Sequence, residues 1–316
     1  MQRRACFFTV LITGVLLSIA ASLFAQGFPY TFTDSLNRAV TIKGKPKRIV
    51  SVAPGATEVL FAIGAGPRVV ADTTYCKYPA AAARLPKIGG YTNPNVEKII
   101  TLKPDLVLGQ RGTPRDIWEQ MAALKLTVAV VDAEKSVDEM LKSINTIGRL
   151  AGEEKNAAAL VKKLTARKQA VEQKTAKLAE QQRPRVLFIF SADALFSAGQ
   201  GSFIDEIITL GGGRNIAAKT KLPWPELSME MVIAEDPQVI LLLPGVMGEK
   251  HKPLTSAAAL ARLRGKPQWK NIAAVKNGRV AVLGDDEMTL PGPRLIDGLE
   301  TTAKALHPAL FGKGAK

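Results

Sequence analysis

Apolar positions along this chain recur in short strand-like runs, each followed by a helical rhythm. RIVSVA, from Arg48 to Ala53, is apolar enough for a buried strand. Pro54 and Gly55 then read as a turn, and Thr57 to Ile63 carries helical spacing that Gly64 and Gly66 stop. The unit returns in PDLVLGQRGTPRDIWEQMAAL, TVAVVDAEKSVDEMLKSINTIGRLA, RPRVLFIFSADALFSAGQGSFIDEIITLGGG, PQVILLLPGV and RVAVLGDDEMTLPGPRLIDGLETTAKAL. Strands alternating with helices predict parallel sheets covered on both faces, an α/β fold. Before the first unit, YTFTDSLNRAVTIKG alternates polar and apolar residues around a turn at Asp34 to Arg38, which predicts a short hairpin.

One segment breaks the alternation. Between Gly152 and Gln182 there is no proline and no strand run, and Ala157, Leu164, Val171 and Leu178 fall seven apart, with Leu160 and Val161 beside them. This predicts one long helix over 151–182, roughly 45 Å at about 1.5 Å per residue. A coiled-coil dimer arm would use the same spacing. The seam is thin, however, and lies midway between two α/β blocks, so a rigid connector in a monomer is the simpler reading. The chain then divides into a lobe at 27–150, a linking helix at 151–182 and a second lobe at 183–316.

Each lobe carries one copy of a repeat. YTNPNVEKIITLKPDLVL starts at Tyr91 and WPELSMEMVIAEDPQVIL at Trp224; each has an aromatic residue, a glutamate six positions on (Glu97, Glu230) and a proline seven further (Pro104, Pro237). The glutamates belong in the first turn of a helix, where the dipole favours a carboxylate, and Asn95 and Ser228 are suitable caps. One carboxylate per lobe suits a partner that is itself two-fold.

The start, MQRRACFFTVLITGVLLSIAASLFAQG, has the layout of a secretory signal peptide: basic Arg3 and Arg4, an apolar run from Phe7 to Phe24, and small residues near Ala25 where cleavage would fall, leaving 1–25 as the leader. The alternative is an uncleaved anchor, since the run nearly spans a bilayer. Cys6 lies too early to be the lipidated cysteine of a lipoprotein leader. Once the leader is removed, Cys76 is the only cysteine, so no intramolecular disulfide forms and the core must hold the fold. The formal charge of +15 raises the question of nucleic acid. The basic residues are dispersed, no nucleic-acid motif occurs, and the leader points out of the cytoplasm, so anionic ligands or an anionic membrane surface fit better.

Five segments in order, RIVSVAPGATEVLFAIGAG, TTYCKYP, YTNPNVEKIITLKPDLVLGQRG, LPWPELSMEMVIAEDPQVILL and PGPRLIDGLE, together resemble the class III periplasmic binding proteins of ABC importers for cobalamin, haem and iron siderophores, and within them the corrinoid binders. The resemblance covers essentially the whole chain after the leader. It implies two α/β lobes joined by a long backbone helix, a ligand cleft between them with little hinge motion, and a periplasmic location. It also implies that Glu97 and Glu230 dock onto arginines of a permease dimer that works with an ATPase, and that the cargo is cobalamin or another metal-bearing macrocycle, with no resident cofactor or metal.

Tyr75, Tyr91 and Trp224 stand where corrinoid binders place aromatics, and Phe190 and Phe196 follow the first strand of the second lobe. Flat rings suit a corrin or porphyrin, or these phenylalanines pack in the core. Arg111, in GQRG, is a candidate for propionate, amide or phosphate groups, and Asp286, in GDDE, for a ligand amide. Two positions depart from the corrinoid pattern, which has a basic residue near Leu290 and in some members a tryptophan at Tyr91. Tyr75 or Tyr91 would serve a ferric haem instead. With only His251 and His307, direct capture of a transition-metal ion is disfavoured, although His251 could ligate haem or cobalt. No GxSxG elbow, P-loop, GxGxxG or Cys/His pairing supports an enzyme. Gly211 to Gly213 reads as the end of a helix, and Cys76 as a packed thiol.

Overall fold

The computed structural model describes residues 27–190, 195–244 and 254–312; the leader and His251 lie outside them. Strands β1 (Tyr30–Thr33) and β2 (Ala39–Ile42) form the expected antiparallel hairpin, closed by Asp34, whose Oδ1 accepts from the N–H groups of Leu36 and Arg38. Two four-stranded parallel sheets follow. The first contains β3 (Ile49–Ser51), β4 (Val69–Ala71), β5 (Leu106–Gly109) and β6 (Val128–Val130) in the order β4-β3-β5-β6. The second contains β7 (Arg185–Ile189), β8 (Arg214–Asn215), β9 (Val239–Leu242) and β10 (Val280–Val282) in the order β10-β9-β7-β8. Numbered within its own sheet, each reads second, first, third, fourth. The two lobes are topological duplicates.

Strand side chains point alternately to the two faces, and here the faces have different neighbours. Val50 and Val107 face outward with Trp118 and Met121, and Leu187, Ile189 and Ile240 face outward in the second lobe. Ile49, Leu106 and Leu108 instead share one continuous core with Val186, Phe188, Val239 and Leu241. The inner faces of both sheets are therefore buried in the same apolar interior.

The helices that fill this interior come from the middle of the chain. Helix α4 (Val137–Ala151) is capped by Ser136, whose Oγ accepts from the Glu139 N–H at 3.0 Å, and ends at Gly152 in the left-handed region. Helix α5 (Glu154–Thr175) buries Ala157, Leu164 and Val171, three of the seven-spaced residues. It differs from the expected 151–182 at both ends: Ala151 belongs to α4, and a single turn of 3-10 helix at Glu180–Gln182 stands apart beyond Thr175. A Cβ on Gly148 would lie 2.3 Å from that of Ala157, so glycine is what lets α4 and α5 approach. Pro54 does not make a turn: it is the first residue of α1 (Pro54–Ala62), where its missing N–H costs nothing.

Polar contacts then tie the lobes. Gln110, buried after β5, donates to the Pro291 carbonyl at 3.1 Å, and Glu206 of α6 (Phe203–Leu210) accepts from the Val137 N–H at 2.6 Å. Arg294, just before α10 (Leu295–Leu306), reaches across to Glu58 on α1, its Nε 3.1 Å from both carboxylate oxygens. The Glu58 side chain is only 3% exposed. Burial pushes its carboxyl up, and the Arg294 guanidinium offsets part of that. Gly55 lies in this seam, where a Cβ would meet Gln110 Oε1 at 2.6 Å and the Pro291 carbonyl oxygen at 2.7 Å.

Replacing Arg294 with Met strands a buried carboxylate and is expected to cost about 3 kcal/mol at neutral pH. Because the carboxyl is held above its ordinary value, the deficit should shrink as the pH falls and Glu58 is protonated. Adding Glu58→Leu should recover most of the loss. Denaturant unfolding of the single and double variants checks this, and a double variant no more stable than the single contradicts it.

Candidate functional site

The repeated glutamates occupy equivalent frames. Helix α2 (Val96–Thr101) precedes β5 and helix α7 (Met229–Glu235) precedes β9, the third strand of each sheet. Asn95 Oδ1 accepts from the Lys98 N–H at 2.8 Å and Ser228 Oγ from the Met231 N–H at 3.1 Å. The far ends match as well. Arg48, at the start of the first lobe's sheet, donates to the Leu102 carbonyl at 2.8 Å, and Arg185, at the start of the second, donates to the Asp236 carbonyl at 2.9 Å. A cation on the last carbonyls of a helix satisfies orphan acceptors and complements the dipole. Before each proline a non-glycine residue is left-handed, Lys103 at φ 47° and Asp236 at φ 41°. Glu97 and Glu230 are both exposed. A backbone bond at Glu230 itself and the Ser228 hydroxyl hold the Glu230 carboxyl below its ordinary value, so it is an anion at neutral pH.

Between the lobes lies a cavity of 250 Å³. Phe190, Phe203, Ile204 and Trp224 form its apolar wall, Thr289 and Pro291 an edge, and Glu134, beyond β6, its contribution from the first lobe. The rings form a chain: Phe190 lies 5.7 Å from Trp224 and 5.9 Å from Phe196, and Phe203 lies 6.2 Å from Trp224. Trp224 is 43% exposed, yet its loop is fixed. The Ser197 N–H donates to the Pro225 carbonyl and the Gly199 N–H to the Pro223 carbonyl, each at 2.9 Å, and Leu227 N–H to Leu195 at 3.2 Å. Glu134 has no hydrogen bond or ion pair among the described residues. Burial, then the nearby Asp132 carboxylate, pushes its carboxyl up against the opposing pull of Arg111.

The other sequence candidates are placed elsewhere. Tyr75 and Tyr91 form their own exposed pair at 5.4 Å, edge to face, on the first lobe. Arg111 donates to Asp132 at 2.8 Å and lines a separate recess against the β1–β2 hairpin. Asp286, on α9 (Asp285–Thr289), accepts from Arg294 at 3.0 Å and does not line the cavity. Trp224 therefore lines the cavity with Phe196 at its flank, while the tyrosines, Arg111 and Asp286 do not. Leu290 stands between two cavity residues, Thr289 and Pro291.

The tyrosine pair rests on a buried polar knot. Asp72 accepts from Lys87 Nζ at 2.6 Å, and Lys87 also donates to the carbonyls of Cys76 and Ala82. Among the described residues Asp72 Oδ2 has no hydrogen-bond partner. The Cys76 thiol is buried within 3.2 Å of the Thr57 and Thr73 hydroxyls, and burial pushes it up, which suits a packed thiol. The Thr74 N–H donates to Gly89, joining the segments that carry Tyr75 and Tyr91. Among the described residues no group of three or more His, Cys, Asp or Glu side chains is arranged to hold a metal ion, and no helix is long and apolar enough to cross a membrane.

Comparison with known proteins places this arrangement. The family model described as "Periplasmic binding protein" matches residues 49–287. The chain is 34% identical over 288 residues to the uncharacterized ABC transporter substrate-binding lipoprotein YvrC of Bacillus subtilis, covering 90% of this chain and 87% of that one. It is 30% identical over 302 residues to the vitamin B12-binding protein of Vibrio cholerae, covering 95% and 97%. Among solved structures, the periplasmic heme-binding protein RhuT of Roseiflexus sp. RS-1 superposes with a TM-score of 0.71 at 28% identity, over 84% of this chain and 99% of that one.

The knot makes stability depend on pH in a definite direction. Burial raises the Asp72 carboxyl to about 6, so the folded chain keeps this proton where the unfolded chain loses it. Its contribution is full in acid and falls as the pH rises through about 6. Asn mimics the protonated form. Across that rise the melting temperature of the wild type should fall relative to Asp72→Asn, and a difference that stays constant with pH contradicts the assignment.

Proposed function

We propose a function from one premise: this chain belongs to the periplasmic binding protein family. Proteins of this family bind a small molecule and work with an ABC permease and its ATPase. Our reading is that this member captures cobalamin or a related corrinoid in the periplasm, after export on its leader, and delivers it to the importer. It binds its cargo and performs no reaction on it.

The observation that carries the reading is the interlobe cavity, with one aromatic wall and one acid, Glu134, that is unpaired among the described residues. Aromatic faces bury a large apolar area, and the pinned Trp224 loop gives that area little freedom to lose on binding. The cavity is open on one side and a corrin is larger than its 250 Å³, so these walls receive part of it and the rest lies outside them. Glu134 favours a ring edged with hydrogen-bond donors, such as the amides of a corrinoid. It disfavours a ring edged with carboxylates. Arg111, the cation that would have answered a propionate, is already paired with Asp132.

A second reading, haem or a ferric siderophore, draws on the exposed tyrosines. Tyr75 and Tyr91 are 54% and 37% exposed, and phenolate oxygens suit ferric iron. The heme-binding structure that superposes on this chain agrees with that reading. The YvrC likeness favours neither cargo.

Titration calorimetry with cyanocobalamin tests the cavity. Trp224→Ala should weaken binding at least about tenfold, or about 1.4 kcal/mol, with the fold intact by circular dichroism. Unchanged affinity would remove Trp224 from the binding surface.

The docking role of the glutamates is tested by Glu97→Ala with Glu230→Ala. Affinity for cyanocobalamin should survive while uptake into cells is lost. Uptake at the wild-type rate would contradict the role.

A further inference from the structure

Glu97 and Glu230 each have a neighbour that the charge argument does not use. Three residues on, Ile100 is 38% exposed and Ile233 is 51% exposed. Side chains three apart on a helix lie side by side. Each short helix therefore presents a carboxylate and a branched apolar side chain together, while the preceding residue, Ile99 or Val232, is fully buried and anchors the helix to the outer core of its lobe.

A single exposed isoleucine on a protein surface carries no meaning. Two at the same position of a duplicated frame do. The frame is matched by sheet order, N-cap, C-terminal arginine and left-handed exit, whereas the other exposed positions of the two helices diverge. Exposed Lys98 in one lobe corresponds to half-buried Met231 in the other, and Thr101 to Ala234. The glutamate and the isoleucine are what the two surfaces share.

We propose that Ile100 and Ile233 complete, with Glu97 and Glu230, a two-point docking surface for a partner with two-fold symmetry, each half of which offers a basic side chain beside an apolar recess. On the reading above, that partner is the permease dimer. Two equivalent patches on a chain that is itself a structural duplicate match a two-fold axis, one patch to each half. The carboxylates steer and orient the approach. The isoleucines supply affinity, because they lose water on docking while an exposed ion pair returns little.

The test is photo-crosslinking in cells, with benzoylphenylalanine placed at position 100 or 233, and at Leu310 as an exposed apolar control outside the repeat. Both repeat positions should give an adduct with the same membrane permease subunit, identified by mass spectrometry, and Leu310 should not. No adduct from either position, or an equal adduct from Leu310, overturns the proposal. This readout does not depend on which cargo is carried. Where the wild type imports cyanocobalamin, Ile100→Ser with Ile233→Ser should lower uptake at least about tenfold at unchanged affinity, and the double valine variant should restore it. Uptake at the wild-type rate in the double serine variant also overturns it. A permease adduct from a protein that fails to bind cyanocobalamin supports the docking surface and refutes the corrinoid reading alone.

Discussion

One apolar core runs through both lobes, and the rest of the molecule depends on it. Had each sheet closed on a core of its own, the lobes would meet only across a polar interface and would move as separate domains by default. Instead, Ile49 and Leu108 of the first sheet share an interior with Phe188 and Leu241 of the second, across α4 and α5. The buried bridges from Gln110 to Pro291 and from Glu58 to Arg294 then lie over an interface that burial already holds. The cavity is consequently preformed, and its walls need little reorganisation to receive a ligand.

The same constraint gives the duplicated surface its use. If the two glutamate-bearing helices dock as proposed, they can address two halves of a partner only when their separation is fixed, and a shared core fixes it. Arg48 and Arg185 hold the C-terminal carbonyls of those helices from the first strand of each sheet, so each carboxylate is referred to the sheet behind it. On the proposed reading, ligand capture and partner docking use different faces of one molecule whose lobes share a core.

Much of this was legible in the sequence because it depends on local pattern. The strand-and-helix rhythm, the seven-spaced seam of α5, the hairpin and the repeat all express themselves within a few turns of chain. Three boundaries were misplaced for local reasons: Pro54 opens α1 rather than a turn, α5 starts at Glu154 because Gly152 ends α4, and α5 ends at Thr175 although nothing before Gln182 forbids helix. What sequence could not show were partners brought together by the fold. Arg111 and Asp286 look like free groups reaching for a ligand, and the fold pairs them with Asp132 and Arg294. Glu134 and Phe203 look unremarkable in their own segments, and only the meeting of the two lobes sets them on facing walls of one cavity. The arginine caps on the repeat were invisible for the same reason, since Arg48 lies far from Leu102 in sequence. A cue to Phe203 existed in its position at the start of a helix following the first strand of a lobe, where α/β sheets place their ligands.

The central claim is that the cavity between the lobes takes a flat macrocycle edged with amides. The most direct measurement is a thermal-shift comparison of the chain from Gln26 onward with cyanocobalamin, dicyanocobinamide, hemin and ferrioxamine at equal concentration. A ligand present at 100 times its Kd and bound only by the folded state adds about 2.7 kcal/mol. The account predicts stabilisation by the corrinoids and none by hemin or ferrioxamine. Stabilisation by hemin or ferrioxamine with none by either corrinoid would contradict it.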